Sequence, residues 1–150
     1  MQTPFLKKAF GNLLDLEVKH AWKTFGSKTA EEAYELFIQN PFGYVEDFRW
    51  IAPNAFTFYF PIVVRYVTSD RSKGDSDTVS SVAGILESQL EEDSRGLSPV
   101  FREITKLCRH IISHYADYDL DYDIYGDVKT RYERIAKIIE SSSAARLGKG

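Results

Sequence analysis

Residues 48–67 read FRWIAPNAFTFYFPIVVRYV and form the most apolar run of the chain. Phe, Tyr, Thr, Ile and Val crowd this run, and side chains of that kind suit a pleated, half-buried strand. Pro53 fits the first turn of a helix equally well, because that turn needs no N–H, and apolar residues then recur at helical spacing. Pro61 disfavours both structures, since it kinks a helix and removes a donor from a central strand. Apolar spacing therefore leaves helix and strand open.

The pattern F-x-W-I-x-P-x-A-F-x-F-Y-F-P, which runs from Phe48 to Pro61, resembles the core motif of a family of small, uncharacterised bacterial domains. The family motif reads leucine or isoleucine, x, Pro, x, Ala-Phe, x, Tyr-Tyr-x-Pro. Such domains are mostly helical and have no established activity. The resemblance implies a Pro-kinked helix over residues 53–69 and carries over no catalytic residue. Phe56 and Tyr59 are then expected in the centre of the core.

The rest of the sequence predicts further helices around this one. Thr29 and Glu32 have the spacing of a capping box at the start of a short helix. Asp77 and Asp127 are placed to cap two later helices, each followed by an amphipathic stripe. Residues 4–25 fit either one interrupted helix or two short ones.

These patterns predict an all-α fold, a single-domain bundle of five or six helices around the aromatic helix 53–69. A chain of 150 residues, 43% hydrophobic and 27% charged, fits one globular domain, 1–150. The polar residues 69–78 predict a flexible linker, and the small, polar residues 141–150 predict a frayed tail.

Charge and cysteine content exclude several functions. A net charge of −3 argues against nucleic acid or an anionic membrane as the main partner, because both attract a basic surface. Arg49 and Arg65 lie within the apolar run, so it is expected to be a buried helix and not a membrane span. Cys108 is the only cysteine, which rules out an internal disulfide and favours the cytoplasm. No secretory signal is recognisable, and no cofactor is expected.

The histidines His110 and His114 are four residues apart, so both point from one face of a helix, and Asp117 follows three residues later. A metal site needs three or four ligands, and Ile111 stands where a zinc protease motif has its glutamate. The favoured interpretation is a pair of histidines at the edge of an apolar stripe. A metal-binding or enzymatic centre at His110, His114 and Asp117 is the alternative.

No catalytic residue is predicted elsewhere. Cys108 falls on an inward-facing stripe, where a cysteine behaves as a small hydrophobic residue. No nucleophile elbow, P-loop or dinucleotide fingerprint is present. Glu91, Glu92 and Asp93 end one predicted helix unfavourably, because negative charge opposes the helix dipole at a C-terminus.

Residues 117–127, DYDLDYDIYGD, are called the Asp/Tyr loop below. They contain five aspartates and no lysine or arginine. Neither register of a calcium-binding loop fits, because glycine at position 6 never coincides with oxygen ligands at the other positions. One interpretation is a solvated acidic connector. The other is a docking strip, in which tyrosines anchor a basic partner and aspartates steer it. The docking strip consists of Asp117, Tyr118, Asp119, Asp121, Tyr122, Asp123 and Tyr125.

The sequence thus predicts a non-enzymatic protein-binding domain of the cytoplasm. Its expected form is an immunity- or adaptor-like protein that engages a basic protein partner through the Asp/Tyr loop.

Overall fold

The computed structural model describes residues 7–149, with side chains for residues 9–142. Over this range the chain is all-helical and forms one domain, which confirms the predicted fold class. It contains eight α-helices, so the prediction of five or six helices is wrong. Two of the eight are single turns, Pro41–Val45 and Tyr122–Tyr125, and a single turn is too short for apolar periodicity to detect.

The helices follow one another with short connections. They are α1 (Leu16–Phe25), α2 (Ala30–Phe37), α3 (Pro41–Val45), α4 (Pro53–Val67), α5 (Ser76–Asp93), α6 (Phe101–Ser113), α7 (Tyr122–Tyr125) and α8 (Val128–Lys149). Short 3-10 helices lie at Lys7–Phe10, Glu46–Phe48, Asp70–Ser72, Arg95–Val100 and Tyr115–Tyr118. No described helix is long and apolar enough to cross a membrane.

Local side-chain chemistry sets most of the helix starts. The Thr29–Glu32 capping box is present, with both of its hydrogen bonds formed. Asp127 accepts the N–H of Thr130 at 3.0 Å, as predicted for the cap of α8. The predicted cap of α5 is wrong by half a turn: Asp75, and not Asp77, accepts the N–H of Thr78. Thr3 and Pro4, at the start of residues 4–25, have the pattern of an N-cap and first-turn pair, and this prediction lies outside the described residues.

Helix α4 forms the centre of the domain, as the sequence predicts. It packs against α2, α6 and three of the 3-10 helices. Phe56 and Tyr59 are fully buried, which confirms their predicted place in the core. The Phe56 ring stacks on Phe60 at 4.7 Å, and the Tyr59 hydroxyl lies 2.8 Å from the Phe25 carbonyl. Pro61 lies inside the helix, where it has no N–H to donate to the preceding turn.

The segment predicted as a linker, residues 69–78, holds a 3-10 helix and the first turn of α5. Ser72 is fully buried, and its hydroxyl donates to the Val67 carbonyl at 2.7 Å. Gly74 has φ +79°, a left-handed conformation that favours glycine, and its N–H donates to the Asp117 carbonyl at 2.8 Å. This bond joins the start of α5 to the Asp/Tyr loop. At the other terminus the backbone is helical to Lys149, through most of the segment predicted to fray.

Candidate functional site

The tyrosines of the Asp/Tyr loop have different environments. Tyr118 is only 1% exposed, and its hydroxyl donates to the Val67 carbonyl at 3.2 Å. Its ring therefore does not lie on the predicted docking surface, because the 3-10 helix after α6 continues the inward-facing stripe. Tyr125 is half-buried and donates to Asp77 Oδ1 at 2.6 Å. Tyr122, by contrast, is 71% exposed.

Two of the five aspartates in the loop stabilise helix starts. Asp121 accepts the N–H of Asp123 at 2.8 Å and caps α7. Asp127 accepts both the N–H and the hydroxyl of Thr130, and these hydrogen bonds hold the pKa of Asp127 below its usual value. Helix capping therefore accounts for both Asp121 and Asp127.

The other three aspartates, Asp117, Asp119 and Asp123, are exposed. None of their carboxylates takes part in a hydrogen bond or ion pair within the described residues. Ile124 directly follows Asp123 and is 71% exposed, like Tyr122. The short helix α7 thus presents one aromatic and one aliphatic side chain within a segment, residues 117–127, that has aspartates and no lysine or arginine. Such a surface can bury apolar area and attract cations.

The two histidines of the alternative metal centre lie side by side at the C-terminal end of α6, with His114 as its C-cap. Their rings stack with centroids 4.2 Å apart, and His114 Nδ1 lies 2.9 Å from the His110 carbonyl. Burial, with the neighbouring His114, lowers the pKa of His110. Within the described residues no three His, Cys, Asp or Glu side chains are placed to hold a metal, so Asp117 does not complete a site. Cys108 is buried, which raises its pKa to about 12 and keeps the thiol protonated.

A groove that the sequence did not predict lies at the C-terminal end of α5. It has a volume of about 710 Å³ and is called the Trp50 groove below. Trp50 itself is 54% exposed, although the sequence places it at the edge of the apolar run. Its lining includes Trp50, Pro53, Gln89, Glu91, Glu92 and Asp93. The one sequence signal for it was the unfavourable run of carboxylates that ends α5.

Gln89 lies in the lining of this groove and anchors the main chain next to it. The side chain is 5% exposed, and its Nε2 lies 2.9 Å from the carbonyls of both Phe48 and Ile51. A third carbonyl, that of Arg49, lies 3.2 Å away. Because all three neighbours are acceptors, the amide nitrogen must face them, and this fixes the segment that carries Trp50. The Oε1 oxygen of Gln89 accepts no hydrogen bond from any described residue.

Among the described residues, Arg49 is the only cation that lines the Trp50 groove, and it is already paired. Its guanidinium donates to both carboxylate oxygens of Glu46, at 2.9 and 3.0 Å, and lies 3.4 Å from the hydroxyl of Ser88. The carboxylates of Glu91, Glu92 and Asp93 therefore have no cationic partner in the lining. Asp93 accepts the N–H of Gly96 at 3.0 Å.

A second groove, of about 370 Å³, also includes Trp50 in its lining. Its lining consists of Leu16, Glu17, His20, Glu46, Asp47 and Trp50. His20 Nδ1 lies 2.8 Å from Asp47 Oδ1, while the buried Asp47 Oδ2 has no hydrogen-bond partner among the described residues. Burial raises the pKa of Asp47, and the His20 contact opposes that shift only in part. Leu16 is 78% exposed, so this groove, like the Trp50 groove, combines an exposed apolar side chain with carboxylates.

Positive charge collects elsewhere, on α6. Arg102, Lys106 and Arg109 line a groove of about 440 Å³ together with Phe101 and Ile139. None of the three cations forms an ion pair with a described residue. The described surface thus has a basic groove on α6 and carboxylate clusters at both ends of α5.

Comparison of the chain with known protein families, with curated proteins and with solved structures finds no match. The structure itself defines an all-α, single-domain protein. The resemblance of the central run to a family of small helical domains stays a prediction.

Proposed function

We propose that this chain is a non-enzymatic, cytoplasmic protein-binding domain of the immunity or adaptor type. It engages a basic protein partner through the exposed part of the Asp/Tyr loop. The observation that carries the proposal is the pair of side chains Tyr122 and Ile124, each 71% exposed in a segment of purely negative charge. Folding gains nothing from this exposure, because apolar area left in water contributes no burial energy.

The chemistry of the surface suits a protein partner. Tyrosine is enriched among the residues that dominate binding energy, since it buries a large ring and loses little conformational entropy. Asp117, Asp119 and Asp123 lie within five residues of Tyr122 in the sequence and would raise the association rate of a basic partner by long-range attraction.

The loop is also held in place before a partner arrives. The Gly74 N–H donates to the Asp117 carbonyl at 2.8 Å, and the Tyr125 hydroxyl donates to Asp77 at 2.6 Å. Asp121 caps the single turn of α7. A surface that is already ordered loses less entropy on binding, so a small contact area can suffice for a specific complex.

The test begins with a photo-crosslinking amino acid at Tyr122 in the native host, which identifies the protein that contacts α7. The purified partner is then mixed with the variant Asp117→Asn, Asp119→Asn, Asp123→Asn, which keeps the capping residues Asp121 and Asp127. Asparagine also tolerates the positive φ of Asp119. We expect slower association, a weaker dependence of the rate on salt, and little change in dissociation.

A matched control neutralises three exposed carboxylates elsewhere, with Glu35→Gln, Glu133→Gln and Glu140→Gln. It changes the net charge by the same amount, so it separates local attraction from the overall charge. Equal association rates for the two triple variants would refute the proposal. Zinc retained through dialysis by the wild type and lost in His114→Ala would instead favour the alternative centre at His110, His114 and Asp117.

A further inference from the structure

The basic groove on α6, called the α6 groove below, contains three cations without a partner. Arg102, Lys106 and Arg109 are exposed and form no ion pair with a described residue. They follow one another at intervals of four and three residues, so they lie on one face of the helix and repel one another. The whole chain is acidic, with a net charge of −3, so its composition does not account for this cluster. An anionic group in the groove would relieve the repulsion.

The rest of the lining suits an occupant that is both polar and apolar. Phe101 and Ile139 line the groove beside the cations, and its volume is about 440 Å³. Thr105 lines it too, and its hydroxyl forms no hydrogen bond with a described residue. The hydroxyls of Thr24 and Thr68, by contrast, donate to the carbonyl four residues earlier in the chain. The α6 groove therefore offers positive charge, a hydroxyl and apolar side chains to one ligand.

The Asp/Tyr loop of this same chain has the complementary chemistry. The carboxylates of Asp117, Asp119 and Asp123 are exposed and form no hydrogen bond or ion pair with a described residue, and they equal the cations of the α6 groove in number. Tyr122 and Ile124 are each 71% exposed and can bury apolar area against a partner. A tyrosine ring also stacks favourably on an arginine guanidinium. Charge and apolar surface thus match on both sides.

The loop does not fill the groove of its own chain. Phe101 at the start of α6 and Ile139 in α8 line the groove together, whereas the N–H of Lys129 at the start of α8 donates to the hydroxyl of Tyr115, just after α6. The two helices are therefore antiparallel, and the loop joins the ends that lie away from the groove. With 13 residues, α6 is about 20 Å long. Among the described residues, none of the loop lines the groove.

We infer that the α6 groove binds the Asp/Tyr loop of a second copy of this chain. Because the two surfaces lie at opposite ends of the α6–α8 pair, two copies in antiparallel orientation can each place the loop in the groove of the other. A two-fold axis closes this reciprocal contact, and two-fold dimers are the commonest protein oligomers. The inference rests on the binding role proposed for the loop. It adds that a different basic partner has to displace the second copy before it reaches the loop.

Sedimentation equilibrium of the purified full chain measures the association. We expect the wild type to form a dimer at low salt as its concentration rises to about 1 mM. The dimer should dissociate at least about tenfold more readily in 1 M salt, where the screening length is only about 3 Å.

Two charge-reversed variants identify the surfaces. The groove variant carries Arg102→Glu and Arg109→Glu, and the loop variant carries Asp117→Lys and Asp123→Lys. Asp119 is unchanged, because its φ of 54° disfavours lysine. Each variant alone should be a monomer, since like charges then meet in both contacts. An equimolar mixture should form a heterodimer, since opposite charges meet again in both contacts. Thermal melting followed by circular dichroism reports whether each variant is folded.

A matched control separates local attraction from net charge. Lys19→Glu with Lys23→Glu has the same net charge as the groove variant, and both lysines are exposed on α1. This control should dimerise at least about tenfold more tightly than the groove variant does.

Each other result would overturn the inference. A wild type that stays monomeric up to about 1 mM would exclude the dimer, and the proposed function would remain open to its own test, crosslinking at Tyr122 in the host. A wild-type dimer with no heterodimer in the mixture would mean that other surfaces meet. Equal losses in the control and the groove variant would mean that net charge alone acts. A monomer in which inorganic phosphate shifts the side-chain NMR signals of Arg102 and Arg109 would make the occupant a phosphate group.

Discussion

The two ends of α5 carry the same kind of charge in opposite circumstances. At the N-terminal end, Asp75 caps the helix and accepts the hydroxyl of the buried Tyr66 at 2.6 Å, and Asp77 accepts the hydroxyl of Tyr125. These carboxylates also lie at the positive end of the helix dipole. At the C-terminal end, Glu91 and Glu92 have no partner among the described residues and lie at the negative end.

The difference teaches how to separate carboxylates that serve folding from those that do not. At one end, hydrogen bonds and the dipole account for the charge, so no further role is needed. At the other end, the charge is unfavourable and lies in a groove beside an exposed tryptophan. The Asp/Tyr loop divides in the same way, since Asp121 and Asp127 cap helices, while the carboxylates of the other three aspartates form no hydrogen bond or ion pair within the described residues.

The largest expected loss of stability comes from a substitution in the core around α4. Phe56→Ala should lower the free energy of unfolding by about 3–5 kcal/mol, because it leaves a cavity in the centre of α4. Urea unfolding measures this loss. Phe42→Ala, at a side chain that is 51% exposed, is the control and should have little effect. Similar stability for the two variants would remove α4 from its central role.

Removal of the charge at the N-terminal end of α5 should lower the free energy of unfolding by less than Phe56→Ala does, but by a measurable amount. Asp75→Ala deletes a helix cap and leaves the hydroxyl of Tyr66 unpaired, which together should lower the free energy of unfolding by about 2–3 kcal/mol. Asp75→Asn keeps an acceptor oxygen and should lose only part of this. If both variants have the same free energy of unfolding as the wild type, the carboxylates at the N-terminal end of α5 do not stabilise the fold.

Removal of the charge at the C-terminal end should have the opposite sign. Glu91→Gln with Glu92→Gln should raise the free energy of unfolding by about 0.3–1 kcal/mol, because repulsion with the helix dipole is relieved. The gain should shrink at high salt, which screens exposed charges. A loss of stability in the double variant would mean that these carboxylates have a structural role.

The smallest effects are pH dependences that contrast two aspartates. The pKa of Asp47 is raised by burial, so its ionisation costs stability once the pH exceeds that raised value. Asp47→Asn removes this cost. The melting temperature of the variant, relative to that of the wild type, should therefore increase as the pH rises from 3 to 7, which is about three pH units above the usual aspartate pKa.

Asp127 should behave in the opposite way. Hydrogen bonds from Thr130 lower its pKa, so the ionised form stabilises the fold above the usual aspartate pKa, and this is lost as the pH falls through the lowered value. The melting temperature of Asp127→Asn should therefore fall further below the wild type at neutral than at acidic pH. If the melting temperatures of the two variants, relative to the wild type, changed with pH in the same direction, the predicted difference between Asp47 and Asp127 would be wrong.

Features encoded by neighbouring residues could be predicted from the sequence. The capping box at Thr29 and the cap at Asp127 depend on residues three apart, and the burial of Phe56 follows from helical spacing on an apolar run. Asp75 was missed as the cap of α5 because two aspartates stand within half a turn of each other. Tyr118 lies seven residues after Ile111, so the inward stripe of α6 already contained the signal for its burial.

The Trp50 groove could not be predicted in the same way. It depends on Gln89 reaching the carbonyls of Phe48 and Ile51, about forty residues earlier in the chain, and no local pattern encodes that contact. The exposure of Trp50 follows from this anchor and not from the apolar run in which the residue stands.

The central claim is that folding makes no use of five exposed carboxylates in the Asp/Tyr loop and the Trp50 groove, those that have no hydrogen bond or ion pair with a described residue. Its most direct test is the free energy of unfolding of one chain in which all five are neutralised: Asp117→Asn, Asp119→Asn, Asp123→Asn, Glu91→Gln and Glu92→Gln. We predict a value equal to or above that of the wild type, because only repulsion is removed. A loss of more than about 1 kcal/mol, the size of a typical destabilising substitution, would contradict the claim.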